Sequence, residues 1–531
     1  MKRFGKRLWE STAVWLALII VAQTVVYVLA GASKAYFHMD EIYSYGLANH
    51  SKVQIYETEG FYDEWHTRNY YDEYLTVGED ERGDFRPVYE NQKNDVHPPL
   101  FYFLLRLGME MTPGQFSKWT GIVLNILIAG VSTVVLWLIV KKLTGGQKVK
   151  ALVLTVVVAL GMAAVSTVVY IRMYELLTLW VLMTTWLHLK LLEAKSGEAK
   201  AGLYVAIGAV ELAGALTQYY YWFYLAAMFT VFAVKYVREK RWKDLRKYVV
   251  TVIVAGLVSL VIWPWAVQHM FFGYRGEGVM TTLGQPLVLL ANLWTYVGVL
   301  DEYVFHKLLL VIVLGLMLIG GYVIMTQKKL AVAKGQGEKV MMILVPTLFY
   351  LVVVAAASPF AALRYVAPVC GLLLALVLWS LWGLFEGVWG KKRGSLGMVV
   401  VVAIFSVVMP VAAGLEPDVV YRERAEWMEK VEELSEVPAV YLMKTGDDWG
   451  FLNDILLVRE IKESYIAKDV GVDEEALKEI LAGKDLGEGL IVFINDGQDN
   501  KDVLEAVKSA TGLDEVEYAQ RLVMSDVYYL K

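Results

Sequence analysis

A chain of 531 residues that is 57% hydrophobic is too apolar for a water-soluble protein of this size. Its one cysteine, Cys370, excludes an intramolecular disulfide, and its net charge of −5 calls for no nucleic-acid partner. The first apolar block, "STAVWLALIIVAQTVVYVLAG", follows the basic "MKRFGKR" and runs for about 20 residues, enough to cross a bilayer core. It carries no small-residue cleavage pattern, so it reads as a retained first span and not a signal peptide. Further apolar blocks begin near residues 117, 150, 173, 201, 219, 247, 306, 338, 363 and 396, which predicts about eleven spans in all.

The connections between blocks alternate in chemistry. "MKRFGKR", "KKLTGGQKVK", "KLLEAKSGEAK", "KYVREKRWKDLRKY", "TQKKLAVAKGQGEK" and "GKKRGS" are short and lysine-rich, which places them in the cytoplasm. The other set holds a long acidic first loop, "YIRMYE", "LTQYYYW", the stretch from Gln268 to about Lys307, "SPFAALRY" and the C-terminal tail. From Ser33 to Gln115 there are 15 acidic against 7 basic residues, and after Leu415 28 against 13, so the rest of the chain is basic by 18. The N-terminus is therefore expected in the cytoplasm, and the tail outside the plasma membrane.

After Leu415 the pattern changes. Apolar runs such as "VPAVYLM", "SYIAKD" and "GLIVFIND" alternate with the helix-like "DEEALKEILAG" and "NKDVLEAVKSATG", and "YAQRLVMSDVYYLK" closes with one or two strands. The expected division is an α-helical polytopic membrane domain over 1–415, with an extracytoplasmic loop over 33–115, and a small α/β domain over 416–531. The tail has neither GxGxxG nor a P-loop, and no internal repeat is evident.

Six of the seven histidines (His38, His50, His66, His97, His269 and His306) fall on the predicted outer side. Within the first loop, "FYDEWHTRNYYDEYL" suits a helix lying on the membrane with its rings at headgroup depth. Three further features point to chemistry. "HMDEIYSYG" puts Asp40 and Glu41 just beyond the first span. "NDVHPPLFYFLLRL" joins Asp95 and His97 to a double proline that stiffens the start of an apolar helix. Arginines recur at outer span ends, Arg172 in "YIRMYELLTLW" and Arg364 in "PFAALRYVAP", with Arg275 in the loop "FGYRGEG". One arginine at such a depth serves as a headgroup anchor; several at one depth beside carboxylates suit a phosphate-headed lipid.

These motifs resemble a known family. "DE" after the first span followed by "DVHPPL" is similar to the protein O-mannosyltransferase pattern. "RMYELLTLW", "TQYYYWFYLAAMF" and "LRYVAPVCGLLLAL" resemble the wider group that includes the lipid A aminoarabinose transferases. The resemblance covers roughly residues 1–415 and implies the GT-C fold, with a polyprenyl-phosphate sugar as donor and a protein, glycan or lipid acceptor hydroxyl outside the membrane. It implies Asp40 as general base, Glu41 as its positioning partner and His97 as part of the pocket. It also implies that Arg172 faces the donor phosphate, with Tyr174 beside it and Glu175 as a second acid. Tyr219, Tyr220, Arg364 and Tyr365 match positions bordering the donor site, and Arg275 joins the outer cationic groups. One-step displacement implies inversion at the anomeric carbon.

The chain departs from the mannosyltransferases where Phe101 and Tyr102 follow "HPPL" in place of Gly-Lys, and where the tail is α/β with no β-trefoil. No fixed ligand spacing marks a metal site, so none is expected, a divalent cation being the one candidate cofactor. The alternatives are a transporter or flippase of polyprenyl-linked glycans, and a receptor-like tail on a membrane anchor. A transporter would show midplane ionisable groups and an inverted repeat, whereas here the polar residues crowd the outer ends of spans.

Overall fold

The computed structural model describes residues 11–49, 54–272, 285–326, 335–446 and 448–531. Arg275, His50 and the basic N-terminal run lie outside the described residues. The chain divides into two compact units. One holds residues 1–32, 96–101 and 122–418, the other 33–95, 102–121 and 419–531.

The first unit is helical. A helix lies at each of the eleven predicted starts. Among the described residues, seven are long and apolar enough to cross a membrane: Thr12–Ser33, Lys118–Leu143, Tyr174–Glu193, Trp242–Ile262, Gln336–Ala357, Leu363–Trp389 and Lys391–Ala412. An eighth candidate is the pair Lys148–Ala159 and Met162–Val169, bent by 50°. The bend falls at Gly161, where a Cβ would approach the Val157 carbonyl oxygen to 3.1 Å, so a larger residue would crowd the turn. Ala201–Ala215 and Leu309–Met325 are shorter apolar helices. Pro286–Tyr303 is helical where the sequence pattern suggested only an outer stretch. Tyr174–Glu193 packs between Ala201–Ala215 and Leu363–Trp389, so the Arg172 and Arg364 ends of two helices belong to one packed layer.

The second unit is built on a six-stranded sheet with strands β1 (Trp65–His66), β2 (Ala439–Met443), β3 (Ser464–Lys468), β4 (Leu490–Asn495), β5 (Val516–Arg521) and β6 (Ser525–Leu530). Their order is β1-β3-β2-β4-β6-β5. β3, β2 and β4 are parallel, and β1, β6 and β5 add antiparallel. β2 and β4 are buried along their whole length, as central parallel strands covered on both faces must be. Helices Glu474–Leu481 and Asn500–Thr511 cover the sheet, each capped by the preceding aspartate, Asp473 or Asp499, accepting two backbone N–H bonds.

Residues 33–95 and 102–115 of the first loop belong to this unit. β1 pairs with β3 in the register Trp65 with Tyr465 and His66 with Ser464. The aromatic stretch expected to lie on the membrane turns inward. Tyr71 and Tyr74 are buried, and the Tyr71 hydroxyl shares a 2.7 Å hydrogen bond with Ser464 Oγ. Edge pairing by β1 satisfies backbone groups of the loop and draws the neighbouring rings into the core. Arg106, in the stretch "LFYFLLRL", is also fully buried. It bonds the Asn49 carbonyl and side chain, the Glu81 carbonyl and Glu110 at 2.8–3.2 Å.

Candidate active site

Within the second unit, Asp40 and Glu41 occupy the first turn of the helix Met39–Asn49. Acidic side chains are favoured there by the unpaired N–H groups of a helix start. The two carboxylates nevertheless have different surroundings. Glu41 is fully enclosed, with Oε2 accepting from Lys34 Nζ at 2.9 Å and from the His38 backbone N–H at 2.8 Å. Asp40 keeps 27% of its side chain exposed, beside His38, whose Nδ1 lies 3.7 Å from Asp40 Oδ2 and accepts the Asp40 backbone N–H. Because Nδ1 accepts that bond, the neutral imidazole carries its hydrogen on Nε2. The pair therefore separates into a locked anion and an accessible one. Asp40 is the member that solvent reaches.

Within the first unit, the stretch Tyr170–Met173 interrupts the backbone between helices Met162–Val169 and Tyr174–Glu193. Asn125 Nδ2 holds this break, donating to the carbonyls of Val168 at 3.1 Å and Tyr170 at 2.9 Å. Arg172 is buried at the break. Arg364 Nη1 donates to the Tyr170 hydroxyl at 2.7 Å, and its guanidinium lies 5.1–5.5 Å from the rings of Tyr170, Phe360 and Tyr365. Tyr174 stacks on Tyr170, and both Tyr174 and Tyr220 meet Tyr365 edge-on at about 6 Å. The result is a guanidinium set in an aromatic wall, which orients its fork.

Other predicted residues stand apart from that wall. The Tyr219 hydroxyl pairs with His269 Nδ1 at 2.8 Å and accepts from Trp263 Nε1 at 3.0 Å. His97 is half-buried before two buried prolines. The helix after them is anchored by a 3.0 Å bond from the Leu100 N–H to the Leu216 carbonyl. Glu175, buried, accepts from Ser132 Oγ at 2.9 Å and lines a cleft with Tyr27, Thr133, Thr167 and Cys370. Among the described residues, no group of three or more His, Cys, Asp or Glu side chains stands ready to hold a metal ion.

Sequence reasoning missed Lys34, Tyr170 and Ser132. Lys34 had a signal, as a lone cation seven residues before Glu41, and Tyr170 lies two residues before Arg172. Ser132 had none, being one hydroxyl in an apolar helix.

Residues 96–265 match the family profile of dolichyl-phosphate-mannose-protein mannosyltransferases. The structure is similar to that of ArnT from Cupriavidus metallidurans bound to undecaprenyl phosphate, with a TM-score of 0.53 and 11% identity over 98% of each chain. This is the GT-C fold. The apo form of the same ArnT matches with a TM-score of 0.51 and 12% identity, again over 98% of each chain. An oligosaccharyltransferase from Archaeoglobus fulgidus in the apo form gives a TM-score of 0.45 and 10% identity, over 91% of this chain and 69% of that one. No curated protein matches the sequence significantly. The chain is thus a multi-pass GT-C membrane protein with a sheet-bearing C-terminal region, similar to lipid-linked-sugar glycosyltransferases.

Proposed function

We propose that the chain is an inverting glycosyltransferase that moves a sugar from a polyprenyl-phosphate donor to an acceptor hydroxyl, with Asp40 as general base. The observation that carries this reading is the split character of the acidic pair. Glu41 is locked by Lys34 and the His38 N–H, while Asp40 stays accessible. The GT-C fold, the mannosyltransferase profile and the undecaprenyl phosphate held by ArnT from Cupriavidus metallidurans support the donor class.

A sugar phosphate is already activated, so the enzyme has to align an oxygen for in-line attack at the anomeric carbon and remove its proton as the bond forms. Asp40 takes that proton and Glu41 holds the turn. Arg172 and Arg364, with Arg275 from outside the described residues, stabilise the charge growing on the departing lipid phosphate. Tyr174, Tyr219, Tyr220, Tyr365 and His97 shape the donor pocket, and Glu175 with Ser132 supplies polar contacts for sugar hydroxyls. In this reading residues 1–415 carry the reaction and 416–531 lie outside the plasma membrane, with the N-terminus in the cytoplasm. The acceptor is a protein, glycan or lipid.

The test is transfer by the purified protein from a panel of polyprenyl-phosphate sugars, beside Asp40→Asn. Turnover of at least one donor with inversion is expected. The variant should lose roughly 10²–10⁴-fold in kcat, the usual worth of a general base. Parental activity in the variant would remove Asp40 from the mechanism, and retention at the anomeric carbon would overturn the single displacement.

A further inference from the structure

The turn that carries Asp40 is held from far along the chain, by the segment that begins at Val419. Ser33, the last residue of the first span, and the three residues after it are each held. Ser33 Oγ accepts from Arg422 Nη2 at 3.3 Å. Lys34 Nζ, besides pairing with Glu41, donates to the Val419 carbonyl. The Ala35 backbone N–H donates to the Val420 carbonyl at 2.9 Å. The Tyr36 hydroxyl donates to the Asn453 carbonyl at 2.6 Å.

The grip uses a costly backbone. Val419 and Tyr421 have φ of 59° and 53°, in the left-handed region that non-glycine residues rarely adopt. For a β-branched residue such as Val419 the conformation is especially unfavourable, and it persists where the surroundings over-determine it. Here those surroundings are the Lys34 ammonium and the Ala35 N–H, on which the carbonyls of Val419 and Val420 converge. Arg424 completes the arrangement. Its guanidinium lies 3.9 Å from the Tyr421 ring centroid, 4.9 Å from Trp427 and 5.8 Å from Tyr36, and the Tyr36 ring meets Trp427 edge-on at 5.7 Å. Such a cation in an aromatic stack adds attraction and also fixes ring orientation.

We infer that the segment Val419–Trp427, together with Asn453, is a clasp that sets the geometry of the catalytic turn, with Arg424 and Tyr36 as positioning residues for Asp40. This inference rests on the reading of Asp40 as the base. A base must sit within hydrogen-bond reach of the proton it removes, and a displacement of about 1 Å can cost roughly 10²-fold in rate. The clasp meets that requirement without touching substrate. It also gives the C-terminal region a role in the transfer reaction beyond being an appendage.

The experiment uses the full-length protein and two variants. Arg424→Ala removes the cation from the stack, and Tyr36→Phe removes one hydroxyl while keeping the ring, so the second preserves folding if the first does not. Three quantities are measured: kcat and donor KM with the turned-over polyprenyl-phosphate sugar, affinity for polyprenyl phosphate alone, and amide hydrogen exchange over residues 34–44. The expected result is a kcat lower by roughly tenfold, a fraction of the full misplacement penalty, with donor KM and polyprenyl-phosphate affinity at parental values. Exchange across residues 38–44 should accelerate, and Arg424→Lys should restore part of kcat. Parental kcat in both variants would overturn the inference while leaving Asp40 as base. So would unchanged exchange across the turn. If the parent transfers no sugar, the catalytic reading falls, and the exchange result alone then decides whether the clasp holds the turn.

Discussion

Lys34 and Glu41 form an ion pair at 2.9 Å in which neither side chain is exposed. A buried pair of this kind contributes little net stability against an apolar replacement, but removing one partner strands the other charge. Glu41→Gln is therefore expected to destabilise the protein by about 3–5 kcal/mol, the usual cost of an uncompensated buried ion. Lys34→Met should act in the same direction. The double variant Lys34→Met with Glu41→Met should recover much of the lost melting temperature. Thermal melting of the purified protein checks all three. Asp40→Asn should leave the melting temperature near the parental value, because Asp40 is partly solvated.

Tyr170 and Arg364 make the second test. The Tyr170 hydroxyl accepts from Arg364 Nη1 at 2.7 Å and so fixes one edge of the guanidinium fork. Arg364→Ala should weaken polyprenyl-phosphate binding most strongly. Arg364→Lys should recover only part, because an ammonium lacks the planar bidentate geometry. Tyr170→Phe should weaken binding by about the worth of one hydrogen bond to a charged group, roughly 1.5–3 kcal/mol. Isothermal titration with polyprenyl phosphate reads all three.

Arg172 and Arg106 are both buried arginines, yet they should behave differently. Arg106 is consumed by Glu110, Asn49 and the Glu81 carbonyl. Arg106→Ala is expected to lower the melting temperature and leave donor affinity in the surviving folded protein unchanged. Arg172→Ala should lower donor affinity more than Arg106→Ala does. Equal losses of affinity in the two variants would remove Arg172 from the phosphate site.

Asp454 supplies a pH dependence. It is buried among Tyr441, Ser525 and Asn453, and burial pushes its carboxyl up to about 6, partly offset by the hydroxyls of Ser525 and Tyr441. An unfolded chain ionises this group near its ordinary value of 3.8 while the folded chain keeps it protonated to about 6. Its contribution to stability therefore falls as pH rises between those values and is level above them. Asp454→Asn should remove that dependence. The variant should match the parent near pH 4 and exceed it at pH 7 by on the order of 3 kcal/mol, from about two pKa units at 1.36 kcal/mol each. Melting curves across pH 4–8 decide it.

Much of the fold is legible in the order of residues. Each of the eleven apolar blocks coincides with a helix, and among the described residues seven of these helices are long and apolar enough to cross a membrane, where a chain must satisfy its own backbone. The tail's alternation announces β2, β3, β4, β5, β6 and two helices because apolar residues at strand and helix periods face one core. Trp65 and His66 gave no such announcement. A two-residue edge strand has no periodicity, and only the β3 edge makes it a strand. The candidate site was legible as residue types at span ends. The enclosure of Glu41 by Lys34 was not, since the cation that pairs with it is identified only by the folded chain.

The sequence by itself determined the order of the apolar helices, the alternation of basic and acidic connections, the α/β character of the tail and the nomination of Asp40, Arg172 and Arg364. All of these depend on composition and spacing within a few turns of chain. Only the tertiary structure decided that Glu41 pairs with Lys34, that the Tyr170 hydroxyl accepts from Arg364 and that the carbonyls of Val419 and Val420 accept from Lys34 and Ala35. Lys34 and Val419 are 385 residues apart. Contacts at that separation depend on chain closure and on strained backbone at Val419 and Tyr421, which no local pattern of residues encodes.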